Sequence, residues 1–138
     1  MIIDSHAHVI VPPESYKFMG ELVASRANPA LPPRLTDNAV REAAQVILDI
    51  MDKVGTDIQF LSPRPYMQMH SVKPAAVTAL WTRHMNDLVY RTVQMFPTRF
   101  RAVAGLPLGD GNRYPEIAKL NNIANPDLIN VGQVLTIP

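Results

Sequence analysis

Short apolar runs alternate with long stretches of helical periodicity along this chain, and that alternation limits its fold more than any other feature. Ile2 to Ser5, Asp57 to Leu61 and Phe100 to Leu106 are too short for buried helices and read as strands, near 2–5, 57–61 and 101–106. Thr36 is placed to cap a helix over 37–54, with Asp37 in its first turn and Gly55 at its stop. Val40, Ala43, Ile47, Ile50, Met51 and Val54 follow its apolar spacing. Pro74 opens a second helix over 75–96, with a stripe of Val77, Leu80, Trp81, Met85, Leu88, Thr92 and Met95. Strands separated by helices longer than about ten residues imply βαβ units, a mainly parallel sheet and right-handed crossovers.

Less regular pieces fill the gaps. Glu14 to Ala27 predicts a helix with Tyr16, Met19, Leu22 and Val23 on one side, and the proline-rich 28–35 must be irregular. After Leu108 the texture turns richer in Asn and Gly, which places a boundary at 108/109. The tail predicts a short helix over 113–123 and a strand over 133–137. Read whole, the order is β-α-β-α-β-α-β: an α/β fold, a partial (β/α) barrel-like unit of about four strands, the 109–138 segment packed into the same domain.

Composition excludes several roles. With 13 basic and 12 acidic side chains the formal net charge is +1, so no field favours nucleic acid or anionic lipid. No apolar run approaches the roughly 20 residues of a membrane span, and Met1 to Asp4 lacks the basic and apolar regions of a secretory leader. A cytoplasmic protein is the expectation. There is no cysteine, which rules out disulfides and thiolate metal sites.

The chemistry concentrates at His6 and His8. Side chains two apart on a strand share a face, so both imidazoles can meet one ion. At the C-terminal end of a barrel strand they would stand where barrel enzymes react substrates. The alternative is two incidental exposed histidines. His70 lies in the loop after the second strand and reads better as a solvated histidine than as a third ligand. His84, at helical spacing from Val77, Leu80, Trp81 and Leu88, reads as a half-buried histidine with one hydrogen bond. Met51, Met85 and Met95 read as core.

The opening, Met1-Ile2-Ile3-Asp4-Ser5-His6-Ala7-His8, resembles that of the amidohydrolase superfamily, in its decarboxylase and hydratase branch. Gly55 to Pro65, Ser71 to Ala75 and Val103 to Pro107 fit the same group in order, so the resemblance covers residues 1–108. It implies a (β/α)₈ barrel with a divalent ion, zinc above all, for which His6 and His8 would be the first two ligands. It also places Arg64 in a loop near the substrate, where a guanidinium can grip a carboxylate through two bonds; the alternative is a solvated loop arginine. The family also needs a further histidine and an acidic residue from later strands, in a barrel of about 250 residues. No residue after 108 resembles them.

Residues 109–138 resemble instead the second half of a lysin motif (LysM) domain, carried by Gly109 to Ile123, Asn125 to Ile129 and Gly132 to Pro138. That family binds N-acetylglucosamine-containing glycans, but with its first strand and helix missing, glycan binding is not expected here. The two resemblances together predict a recombined or engineered chimera without a complete active site, catalytically inert. The alternatives are a divalent-metal-dependent hydratase or decarboxylase of a carboxylated small molecule, and a glycan-binding module. Three barrel strands without their opposing half predict an exposed apolar face and a homo-oligomer, either a dimer or a segment-swapped assembly.

Overall fold

The computed structural model describes residues 1–64, 68–106 and 114–124. In chain order the elements are β1 (Ile3–His8), α1 (Pro13–Ala24), α2 (Asp37–Val54), β2 (Ile58–Ser62), α3 (Ala75–Met95), β3 (Phe100–Ala102) and α4 (Tyr114–Leu120). The three strands form one sheet in the order β1-β2-β3, parallel throughout. The fold is therefore the expected α/β unit with a parallel sheet. The expected fourth strand over 133–137 and the 108/109 boundary lie outside the described residues.

Local chemistry explains where the elements start and stop. Thr36 Oγ1 accepts the N–H of Ala39 at 3.1 Å and Gly55 closes α2 with φ 79°, the left-handed geometry that glycine adopts without strain. α1 ends at Ala24 rather than running to Ala27, because Arg26 and Ala27 turn left-handed at φ 55° and 72°. β1 runs on to His8 instead of stopping at Ser5, and Val9 N–H extends its pairing by donating to Ser62 O at 3.0 Å. β3 is shorter than expected. Val103 still donates to Leu61 O at 2.8 Å, but Asn86 of α3 then takes both backbone groups of Gly105 and draws the chain off the sheet.

α3 is the central helix, in contact with α1, α2, β2 and β3. Its Val77, Trp81 and Leu88 pack with Leu22, Val40, Met51, Leu61 and Phe100 in one core. Trp81, Leu88, Leu61 and Phe100 are each 0% exposed. Full burial of side chains of this kind contributes roughly 1.5–3 kcal/mol apiece. The inward face of α2 is Val40, Ala44, Ile47, Leu48 and Met51, and Ile50 and Val54, expected inside, are exposed. On α1 the buried face is Ser15, Phe18 and Leu22, while Tyr16 and Val23 face solvent. Arg99 fastens the opposite end of the sheet, pairing with Asp52 at 2.7 Å and donating to Thr56 O and Asp57 O, both at 3.1 Å. No helix of the described residues is long and apolar enough to cross a membrane.

Candidate metal centre

In a parallel sheet every strand ends on the same side, and here that side gathers His8, Ser62, Arg64 and the segment after Ala102. β1 reaches it through an irregularity. Asp4 pairs with Gln59 and Ala7 with Leu61, so β1 spends one residue more than β2 between these two pairs, a bulge at Ser5 and His6. Asp4 holds it in place. One carboxylate oxygen accepts the His6 N–H at 3.0 Å, and the other accepts the Gln59 amide at 2.7 Å. The bond from the His6 N–H, then that from Gln59, keeps the Asp4 carboxyl below its ordinary value. Gln59 itself has a buried amide oxygen, Oε1, with no hydrogen-bond partner among the described residues.

Beyond the bulge the two imidazoles come together. The rings of His6 and His8 have centroids 5.2 Å apart and an interplanar angle of 78°. His6 is exposed and His8 half-buried. His8 Nδ1 lies 2.9 Å from Ser62 Oγ on the neighbouring strand, and that hydroxyl donates to the carbonyl of Ala7 at 3.1 Å. Imidazole nitrogen is an ordinary ligand of zinc and similar divalent ions, so the pair offers two donors of the right chemistry. No three of His, Cys, Asp or Glu gather around one point among the described residues, so neither Asp4 nor His70 completes the set.

The remaining sequence-predicted residues are placed as follows. Arg64 is half-buried two residues after Ser62, at the same sheet end as the imidazoles, and His70 is half-buried in the loop that leads to α3. His84 is more buried than expected, at 6% exposure. Its Nε2 lies 2.8 Å from Ser15 Oγ of α1, and its ring touches those of Phe18 and Trp81. It clamps α1 to α3 through Ser15 and Phe18. Ser62 is the participant that sequence reasoning missed. Its only signal is register, since it faces a residue 54 positions away.

This parallel unit with paired histidines on its first strand is similar to known hydratases over part of their length. Two relatives make this particular. A 2-keto-4-carboxy-3-hexenedioate hydratase from a Sphingobium species is 30% identical over 131 aligned positions, covering 91% of this chain and 38% of that protein. The crystal structure of 4-oxalomesaconate hydratase from Rhodopseudomonas palustris superposes with a TM-score of 0.67 at 27% identity, covering 88% of this chain and 39% of that one. The chain is thus homologous to hydratases of this branch over part of their length, and spans about two fifths of them. The family model of the LysM domain matches residues 111–138. Both hydratase alignments cover more of the chain than residues 1–108 could supply, so they run into the tail and overlap the LysM match.

Proposed function

We propose that this chain carries the first part of the active site of a divalent-metal-dependent hydratase acting on an unsaturated, carboxylated keto acid. The observation that carries the reading is the His6–His8 pair, its rings near-perpendicular on β1, with Ser62 hydrogen-bonded to His8. Both relatives are hydratases of a carboxylated acid, which supports the reaction type.

In this reading His6 and His8 hold zinc or a related ion, and Arg64 pairs with a substrate carboxylate through both guanidinium nitrogens. A bound ion of this kind supplies Lewis acidity toward a substrate oxygen and lowers the pKa of water near it. The chain's own contribution is positional. The Asp4-held bulge sets His6 beside His8, and the β1–β2 pairing brings His8 to Ser62, two residues before Arg64.

The test is titration of metal-free protein with Co²⁺ and Zn²⁺, followed by calorimetry and by the visible spectrum of cobalt. The expected result is saturable binding that is lost in His6→Ala and His8→Ala and kept in His70→Ala. Wild-type binding no tighter than that of the His6→Ala/His8→Ala double variant overturns the proposal.

A second reading, the inert chimera, is favoured by one specific observation: a LysM match lies on the same chain as the hydratase-like segment. Turnover of an unsaturated keto acid that disappears in His6→Ala argues against it. Metal binding without turnover argues for it. Binding of chitin oligomers would assign a role to residues 111–138.

A further inference from the structure

We infer that Ser62 is a positioning residue: its hydroxyl fixes the neutral His8 ring with the proton on Nδ1 and so leaves the lone pair of Nε2 for a divalent cation. The inference deepens the metal-binding reading above and rests on it for the identity of the ligand. The protonation pattern itself follows from hydrogen-bond bookkeeping in the metal-free chain.

A serine hydroxyl has one proton and two lone pairs, and a backbone carbonyl has no proton to give. Ser62 Oγ lies 3.1 Å from the carbonyl oxygen of Ala7 and 2.9 Å from His8 Nδ1. The contact to Ala7 is a hydrogen bond only if the hydroxyl proton points there. The contact to His8 is then a bond only if Nδ1 carries a proton and donates it. Both bonds exist together in one arrangement: Nδ1–H to Oγ, Oγ–H to the Ala7 carbonyl. A neutral imidazole protonated on Nδ1 has its lone pair on Nε2, the form in which it ligates a metal ion.

Three features hold the relay in place. Ser62 stands opposite His8 in the parallel register, and Ala7 opposite Leu61. The Ser62 carbonyl also accepts the Val9 N–H at 3.0 Å, so the backbone on either side of His8 is tied to Ser62. Ser62 is half-buried and the following Pro63 is buried, which limits the water that could replace the hydroxyl. A ligand histidine whose other nitrogen is held in this way needs no tautomer change or ring flip on binding. Loss of such a partner typically weakens metal affinity about 10–100-fold.

The experiment reads the ring nitrogens directly. Uniformly ¹⁵N-labelled, metal-free full chain is examined by long-range ¹H–¹⁵N correlation at about pH 8, above the ordinary imidazole value of about 6.5. The expected spectrum shows His8 protonated on Nδ1. In Ser62→Ala that preference disappears, while the His84 ring, bonded to Ser15 on other elements, keeps its pattern and reports an intact fold. Zn²⁺ affinity of Ser62→Ala is expected to fall about 10–100-fold. His8 protonated on Nε2 in the wild type overturns the inference without any variant, and so does an unchanged His8 pattern in Ser62→Ala. A wild type with the expected tautomer that binds no Zn²⁺ refutes the proposed function and, with it, the cation as the recipient of Nε2. The positioning of the proton by Ser62 is decided separately, in the metal-free spectra.

Discussion

Removing the side-chain amide of Asn86 should loosen the end of the sheet that carries the histidines. Asn86 Nδ2 donates to Gly105 O at 2.9 Å and Asn86 Oδ1 accepts the Gly105 N–H at 2.8 Å, so one side chain of α3 stands in for a neighbouring strand. Each such bond contributes about 1 kcal/mol net. Both groups are half-buried, so water can reach Gly105 once the amide is gone, and no full desolvation penalty is added. Asn86→Ala should therefore cost about 2 kcal/mol. With a urea dependence of about 2 kcal/mol per molar, the unfolding midpoint should fall by roughly 1 M. Trp81 is the only tryptophan and is 0% exposed, so its fluorescence follows the transition. Gly105→Ala perturbs the same contact from the other side, since an added Cβ would lie 3.0 Å from the Gln68 amide and 3.3 Å from the Pro63 ring. The two substitutions should combine non-additively, with a coupling of about 0.5 kcal/mol or more. An Asn86→Ala midpoint within about 0.2 M of wild type would refute the reasoning.

Burial of His84 beside Phe18 and Trp81 disfavours its charged form and lowers its pKa, with Asp87 opposing the shift and Arg91 adding to it. The unfolded chain then binds the proton more readily. Stability should be full above about pH 6.5 and decline as the pH falls from there toward the lowered folded value; pH-dependent urea melts should show that slope, and His84→Gln should flatten it. Thr36→Ala removes the acceptor of the Ala39 N–H and should cost about 1 kcal/mol in the same assay, with no effect on metal titration. Ile3 is 53%, Val103 43% and Leu106 37% exposed, and β1 is an edge strand among the described residues. A second copy is the expected cover. Sedimentation velocity should show concentration-dependent dimers that Ile3→Lys weakens, and a monomer unchanged across the micromolar range would exclude this.

The parts of the fold written in local spacing were legible in advance. Thr36 and Gly55 marked both ends of α2, and the short runs at β1 and β2 stood out between helical stretches. The exact inward stripe of α2 was not legible, because Ile50 and Val54 are as apolar as Leu48. Only the position of α3 decides which of them meets a neighbour. The short β3 was hidden for a similar reason: Ala102 to Leu106 is good strand sequence, and the bonds that pull Gly105 away come from Asn86, 19 residues earlier. At the site, His6 and His8 announced themselves as a pair, since strand alternation alone puts them on one face. Ser62 did not. A serine at a strand end means nothing until register sets it against His8, and the bulge held by Asp4 shifts that register by one residue.

The strands stand in the sheet in the order in which the chain is made. Among the described residues no strand has to be inserted between two that already pair, so their assembly can follow synthesis from the N-terminus. β1 and β2 can close their ladder, and His8 can meet Ser62, while Phe100 is still to be added. At translation speeds of about 5–20 residues per second the free edge of β2 waits roughly 2–8 s for β3. The same ordering bears on how such genes diverge. Replacing the sequence after β3 removes no pairing among β1, β2 and β3, and leaves the contact of His8 with Ser62 between the first two strands.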